Sequence, residues 1–469
     1  MTIRQNKVLF MLWIAFSGIA MRGDIPPYKA GDIICYLGDS ITKQGGYHSE
    51  IQLFYVTRYP DQPMVSWNCG LAGNMAKDML KRYQWDAMSR NPTVVCIMAG
   101  MNDVNRGLYS RQMSSHPEIA GKRDEAIARH LDNMDQLIDS LTQKNVRIIL
   151  LTPSIYDQTG TQKATCNFGV CDALDKCAAG VRQLSEKYNT KFIEFTIPMK
   201  EINLMKQKVN PDFTIVGPDR IHPGAAGHMF MAWLFLKSQN VLPVVSEMVI
   251  DVAKKSVIKQ NNCDISGLRV DDTALSFDCL EKALPFPLDA KNEKILSLIP
   301  FCHDLNMEKL CIKGLAKGEY ELRIDGVKIM KISADGLMEG INLATQKNTP
   351  QYKQALQVKK VLSRRFRLEN KLRDFVHVKY MYYADLNNPS AEEIRMRVDM
   401  ERKKLKGKKD IWSNYCLRLI DSYDKMAGKE NDMEREMDAL LKQAYRENKP
   451  CSHHYELRLL KNNNSKKDG

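Results

Sequence analysis

Ser40 stands in Gly38-Asp39-Ser40-Ile41, where an apolar run over 33–37 reads as a buried strand that must turn. Far downstream, Asp219-Arg220-Ile221-His222 sets a carboxylate three residues before a histidine. A hydroxyl is a poor nucleophile until a base takes its proton, and an imidazole serves as that base only when a third group orients it. Acyl transfer is the chemistry that uses this set. Ser40 is the candidate nucleophile, His222 the candidate base, and Asp219 the group that orients the ring and stabilises the imidazolium.

Two intermediate stretches complete a pattern: Asn68-Cys69-Gly70-Leu71-Ala72-Gly73-Asn74 and Gly100-Met101-Asn102-Asp103. In this order and spacing the four segments resemble the blocks of the SGNH (GDSL) hydrolase family. The resemblance covers residues 31–240 and does not extend to the remainder. It implies an oxyanion hole built from the backbone N–H of Ser40, the backbone N–H of Gly73 and the side-chain amide of Asn102, with Gly70 as the rival glycine donor. It also implies that Asp39 and Asp103 hold loops rather than move protons. Of the nine histidines, only His222 has both the carboxylate spacing and this context, whereas His228 reads as structural. Asn74, Tyr47 and Arg106 are candidates for the pocket wall.

The activity so implied is that of a secreted serine esterase. It would release acyl groups, acetyl first, from a polysaccharide. A lipase, lysophospholipase or aryl esterase of the same family is the alternative, and a glycan-binding envelope protein the alternative of another class. No cofactor is expected, because the chain has neither a phosphate-cradling G-x-x-x-x-G-K loop nor a dinucleotide fingerprint. No metal is expected either: Cys166 and Cys171 form one ligand-like pair without a second.

The elements that must position these residues follow from hydropathy. Short apolar runs over 33–37, 64–67, 93–98, 146–152 and 191–195 alternate with amphipathic segments over 48–58, 75–90, 119–144, 171–188 and 224–238. That alternation predicts a three-layer α/β/α sandwich with a five-stranded parallel sheet, the flavodoxin-like SGNH hydrolase fold, over residues 31–240. In such sheets reacting groups gather beyond the C-terminal strand ends, and Ser40, the Asn68–Asn74 loop and Asn102 each follow a strand. Alternating stretches near 270–280, 309–312 and 320–324, the last followed by Asp325-Gly326, predict a small β-rich module over 241–349. Helix formers at i, i+3/i+4 spacing over 351–381, 390–428 and 431–448 predict a helical region over 350–461, with 401–410 an exposed helix end or loop. A disordered tail over 462–469 is expected.

The chain has 469 residues, enough for two or three cores. Arg4 and Lys7 precede an apolar stretch over 8–20, which reads as a signal peptide over 1–20 and implies a secreted or periplasmic protein. That stretch is too short for a comfortable membrane span and no other run is long enough, so no stable membrane insertion is expected. Among the twelve cysteines, Cys166, Cys171 and Cys177 are the better disulfide candidates, while Cys35 and Cys96 sit in strand patterns as small hydrophobes. The net charge of +13 is concentrated beyond residue 350, where 28 Lys and Arg stand against 18 Asp and Glu. Solvated helix faces are the plain reading of that excess, and a surface for an acidic glycan or an anionic envelope the sharper one. No nucleic-acid-binding motif accompanies it.

Overall fold

The computed structural model describes residues 25–460 apart from 272, 289, 291 and 292. The expected signal peptide and the expected disordered tail lie outside the described residues. The chain divides into two compact units: Met1–Gln52, Met64–Asn240 and Ser363–Leu441 form the first, Leu53–Pro63, Val241–Leu362 and Lys442–Gly469 the second. These limits do not follow the three segments read from the sequence.

The first unit is built on a parallel sheet of β1 (Ile33–Gly38), β2 (Val65–Gly70), β3 (Val94–Met98), β4 (Arg147–Leu151) and β5 (Lys191–Ile193), in the order β2-β1-β3-β4-β5. Its helices are α1 (Ser40–Gln44), the part of α2 (Gly46–Arg58) up to Gln52, α3 (Ala76–Arg82), α4 (Ile119–Thr142), α5 (Val170–Lys187), α6 (Thr196–Gln207) and α7 (Ala225–Ser238). Strands buried on both faces must be apolar on both, which is why these runs lack a polar–apolar alternation. Cys35, Leu37, Val95, Ile97, Ile148 and Leu150 form one face, packed with Met79, Met134, Leu137, Ile138, Leu141 and Val181 of α3, α4 and α5. Tyr36 points to the other face, stacked on His48 of α2 at 4.8 Å and tilted against Phe235 of α7 at 6.2 Å. The three-layer α/β/α sandwich is therefore present. Its strand order reverses direction between β1 and β3, so the crevice beyond those two strand ends is where a ligand site belongs.

Sheet edges need cover, because an edge strand presents unpaired backbone groups. β2 is such an edge, and a helix from the C-terminal region covers it. This region comprises α8 (Pro350–Tyr382), α9 (Ala391–Leu405), α10 (Ile411–Met426) and α11 (Glu430–Glu447). Arg365 donates to the Ser66 carbonyl at 3.0 Å, the Asn68 N–H donates to Glu369 at 2.9 Å, and Arg373 donates to the Gly70 carbonyl at 3.2 Å. The match is metrical. Four residues of helix rise about 6 Å and two residues of strand about 6.6 Å, so side chains at i, i+4 and i+8 meet backbone at j, j+2 and j+4. Arg365, Glu369 and Arg373 are buried, so the reading of solvated faces fails for them. The first compact unit accordingly takes in part of the segment that the sequence sets apart as a helical region.

The second unit holds two sheets around one core. β6 (Val244–Asp251), β7 (Ser256–Asn261), β10 (Met307–Lys313) and β13 (Ile341–Asn342) are ordered β13-β10-β6-β7. β8 (Cys263–Val270), β9 (Ala274–Glu281), β11 (Glu319–Ile324), β12 (Val327–Ser333) and β14 (Ser452–Leu459) are ordered β12-β11-β14-β9-β8. β14 corrects the end of the helical region expected over 350–461, beyond the last expected helix at 448. Pro450 stops the preceding helix, and His453, Tyr455 and Leu457 are buried at a period of two, a strand signal too short to stand out beside long helices. The helix expected over 390–428 is two, α9 and α10, and the break over 406–410 falls within the 401–410 stretch expected as a helix end or loop. The helix expected over 75–90 ends at Arg82.

All twelve cysteines are free, so the disulfide expected among Cys166, Cys171 and Cys177 is absent. Cys171 and Cys177 lie on one helix, α5, and six residues of helix set their Cα atoms about 9 Å apart, beyond the reach of a disulfide.

Candidate active site

The nucleophile candidate sits where β1 gives way to α1. Gly38 is required there because a β-carbon at that position would lie 2.2 Å from the Thr42 hydroxyl. Asp39 then caps α1, its carboxylate accepting the Ile41 N–H at 2.9 Å. Burial pushes the Asp39 carboxyl up to about 6, against the lowering effects of the Ile41 N–H and nearby His222. Ser40 becomes the first helical residue, with its Oγ 2.7 Å from His222 Nε2.

On the other side of the imidazole, His222 Nδ1 lies 2.5 Å from Asp219 Oδ2. The second carboxylate oxygen accepts the backbone N–H groups of Ile221 and His222 at 3.1 and 3.0 Å. Burial alone would raise the Asp219 carboxyl, but these hydrogen bonds outweigh it and hold the group down to about 2. Asp219 is therefore anionic across any working pH, and its ring partner is fixed by it.

Arg220 explains how a three-residue separation closes this contact. Its φ of +70° is unusual for a residue with a side chain and turns the loop back on itself. The buried guanidinium pins that conformation by donating to the carbonyls of Asp157, Gly160, Ala164 and Gln162 and to the Gln162 side chain, at 2.6 to 3.0 Å. Between the aspartate and the histidine an arginine looks interchangeable in sequence, and its structural duty is legible only from the carbonyls that converge on it.

The oxyanion candidates converge on the same rim. Gly73 adopts φ +76°, which only glycine takes without strain. Asn102 donates one amide hydrogen to the Asn74 carbonyl at 3.0 Å, and Arg106 donates to its Oδ1 at 3.1 Å. The two contacts fix which end of the amide is the donor and leave its second hydrogen for a ligand. Gly70 is excluded as the rival, since its N–H already donates to the Asn68 side chain at 2.9 Å. Asp103 accepts the N–H groups of Ala76 and Gly100 at 2.8 and 3.0 Å, which ties the two loops together as the family resemblance implied.

Of the pocket-wall candidates, Arg106 is partly exposed, whereas Tyr47 and Asn74 are buried. The Tyr47 hydroxyl pairs with Thr42 at 3.2 Å, and Asn74 accepts from Arg82 at 2.7 Å. His228 is buried against Gln44 at 3.1 Å, a structural placement. Arg82 was missed by sequence reasoning. Besides Asn74 it donates to the carbonyls of Gly38 and Cys69 at 3.0 and 2.9 Å, so one buried guanidinium joins the turn before Ser40, β2 and the loop that carries Gly73 and Asn74.

Comparison with known proteins bears on this arrangement. Residues 36–230 match the GDSL-like Lipase/Acylhydrolase family. The chain is 25% identical over 226 residues to an acetylxylan esterase of Geobacillus stearothermophilus, covering 44% of this chain and 94% of that protein. It is also similar along nearly its whole length to the solved structure of BT4096, a gut microbial diltiazem-metabolizing enzyme. That likeness has 33% identity and a TM-score of 0.86, and covers 93% of this chain and 99% of that one. With a hydroxyl, an imidazole and a carboxylate in sequence at one strand rim, the chain belongs to the GDSL-like lipase/acylhydrolase family and is an ester-hydrolysing serine hydrolase.

Proposed function

We propose that the protein removes acetyl or similarly small acyl groups through an acyl-enzyme on Ser40, and the observation that carries this reading is the unbroken relay Ser40–His222–Asp219. Ser40 Oγ attacks the ester carbonyl as His222 Nε2 takes its proton, and the carbonyl π pair moves onto oxygen. The oxyanion accepts hydrogen bonds from the N–H of Ser40, the N–H of Gly73 and the free amide hydrogen of Asn102. Collapse breaks the ester C–O bond, and the departing alcohol takes the proton from the imidazolium. Water, deprotonated by the same ring, then releases the acid and restores Ser40. Asp219 stays ionised and stabilises the transient imidazolium.

An acetylated polysaccharide is the first substrate class, supported by the acetylxylan esterase likeness over the hydrolase region. The near-full-length likeness to a diltiazem-metabolizing enzyme supports a second reading: acetate esters of compact ring systems, the ester class that the diltiazem molecule contains. Export, read from the apolar stretch over 8–20, would place the activity outside the cytoplasm. Initial rates on acetylated xylan, diltiazem and p-nitrophenyl esters of increasing length test the reading. Acetate is expected to be the best acyl group, and preference for chains beyond about eight carbons would replace it with a lipase.

Asn102→Ala probes the oxyanion assignment. Removing one such donor is expected to lower kcat by about 10²–10³ with KM changed only a few-fold. Turnover equal to that of the parent enzyme would take Asn102 out of the hole.

A further inference from the structure

The C-terminal helical region contributes a side chain to the rim of the site, although the family match ends at residue 230. A β-carbon built on Gly73 would lie 3.2 and 3.5 Å from Cη2 and Cζ3 of Trp412, the second residue of α10. The indole therefore rests on the glycine assigned as an oxyanion donor. Its position is fixed from several directions. Asp410 caps α10, accepting the Ser413 N–H at 2.8 Å and the Ser413 hydroxyl at 2.7 Å. Tyr415 and His377 brace the ring, with centroids 5.4 and 6.4 Å away. The Tyr415 hydroxyl in turn accepts from Lys43 at 3.1 Å, and Lys43 lies in α1 three residues beyond Ser40. The aromatic group thus bridges the nucleophile helix and the oxyanion loop.

A tryptophan serving only as core would be covered. Trp412 is 49% exposed, and Ile411 beside it is 88% exposed, so an apolar rim stands open next to the reacting centre. A large rigid π surface held by its neighbours suits a flat or chair-shaped ring whose C–H face replaces water.

We propose that Trp412 is a specificity-determining residue of the esterase, a platform on which the ring bearing the acyl ester stacks while its carbonyl enters the oxyanion hole. The proposal rests on the esterase reading and names its substrate class: acetates of cyclic alcohols, sugars or fused aromatic systems alike. A platform stabilises substrate and transition state equally, so its removal acts on KM rather than kcat.

The test compares the parent enzyme, Trp412→Ala and Trp412→Phe on ethyl acetate, acetylated xylo-oligosaccharides and diltiazem. Trp412→Ala is expected to lower kcat/KM on the ring-bearing esters about tenfold or more through KM, to leave ethyl acetate within about threefold, and to be largely rescued by Trp412→Phe. A loss on one ring-bearing substrate alone supports the platform and identifies the ring it takes. Equal loss on ethyl acetate, or no loss on either ring-bearing ester, overturns it. Calorimetric binding of the same two ligands to Ser40→Ala, with and without Trp412→Ala, separates the two readings. Binding that weakens with Trp412→Ala supports the platform even if the parent enzyme hydrolyses none of the esters, a result that would end the esterase reading alone. Binding unchanged by Trp412→Ala overturns the platform whatever the turnover.

Discussion

Ser40→Ala is expected to reduce kcat on an acetate ester by about 10⁶-fold, to the level that binding and oxyanion donors sustain without a nucleophile. The hydroxyl lies 2.7 Å from His222 Nε2, and among the described residues no other hydroxyl is hydrogen-bonded to the His222 ring. The residual rate should be insensitive to a further His222→Ala change, since a base without a nucleophile has no proton to take. That non-additivity is the informative readout. Single and double variants with equal residual rates mark Ser40 and His222 as one machine, whereas a further large loss in the double variant would mean that His222 activates water directly. The folded state should be unaffected, because Asp39 continues to cap α1 through its own carboxylate, so the thermal midpoint of Ser40→Ala is expected to stay at that of the parent. A kcat lowered less than about tenfold would move the nucleophile elsewhere.

The site was legible in sequence wherever chemistry demands a residue type at a turn: a hydroxyl after β1, a glycine with left-handed backbone at 73, an amide after β3, an aspartate and histidine on one loop. The sheet was legible for a related reason, since strands buried on both faces must be continuous apolar runs. Short elements were not. α1 spans Ser40–Gln44 and is held by its cap and by the loops around it, with too few residues to show a period. α6 hides among mixed residues, and β14 among helix formers, because a strand eight residues long competes poorly against helices of twice that length. Arg365, Glu369 and Arg373 illustrate a deeper limit. Charges at i, i+4 and i+8 read as a solvated ladder, and nothing local distinguishes that ladder from one whose partners are the carbonyls and N–H groups of an edge strand. Trp412 was missed for the same reason: its importance comes from Gly73, more than three hundred residues away in the chain.

Asp86→Ala is expected to cost about 3–5 kcal/mol of stability, the range for stripping the counter-charge from a buried ionic group. The Asp86 carboxylate accepts from Arg373 Nη1 and Nη2 at 2.5 and 2.8 Å and from Arg82 Nη1, and all three side chains are buried. Burial opposes the charge on Asp86, but the two guanidinium groups outweigh it and hold the carboxyl below its ordinary range. Without the carboxylate, two cations would remain in a dry interior with Glu369, one helical turn from Arg373, as the nearby anion acting on that arginine. The penalty should spread to function, because Arg82 also holds Gly38, Cys69 and Asn74, and Arg373 holds Gly70. Arg373→Met should cost less, since it removes one cation and leaves the Arg82–Asp86 pair intact. The ordering parent, then Arg373→Met, then Asp86→Ala in thermal midpoint is the expected result, with acetate-ester kcat falling in the same order. A midpoint for Asp86→Ala within a degree of the parent would mean that water reaches this cluster. The C-terminal helix would then be an attachment to the hydrolase sheet rather than the cover that completes it.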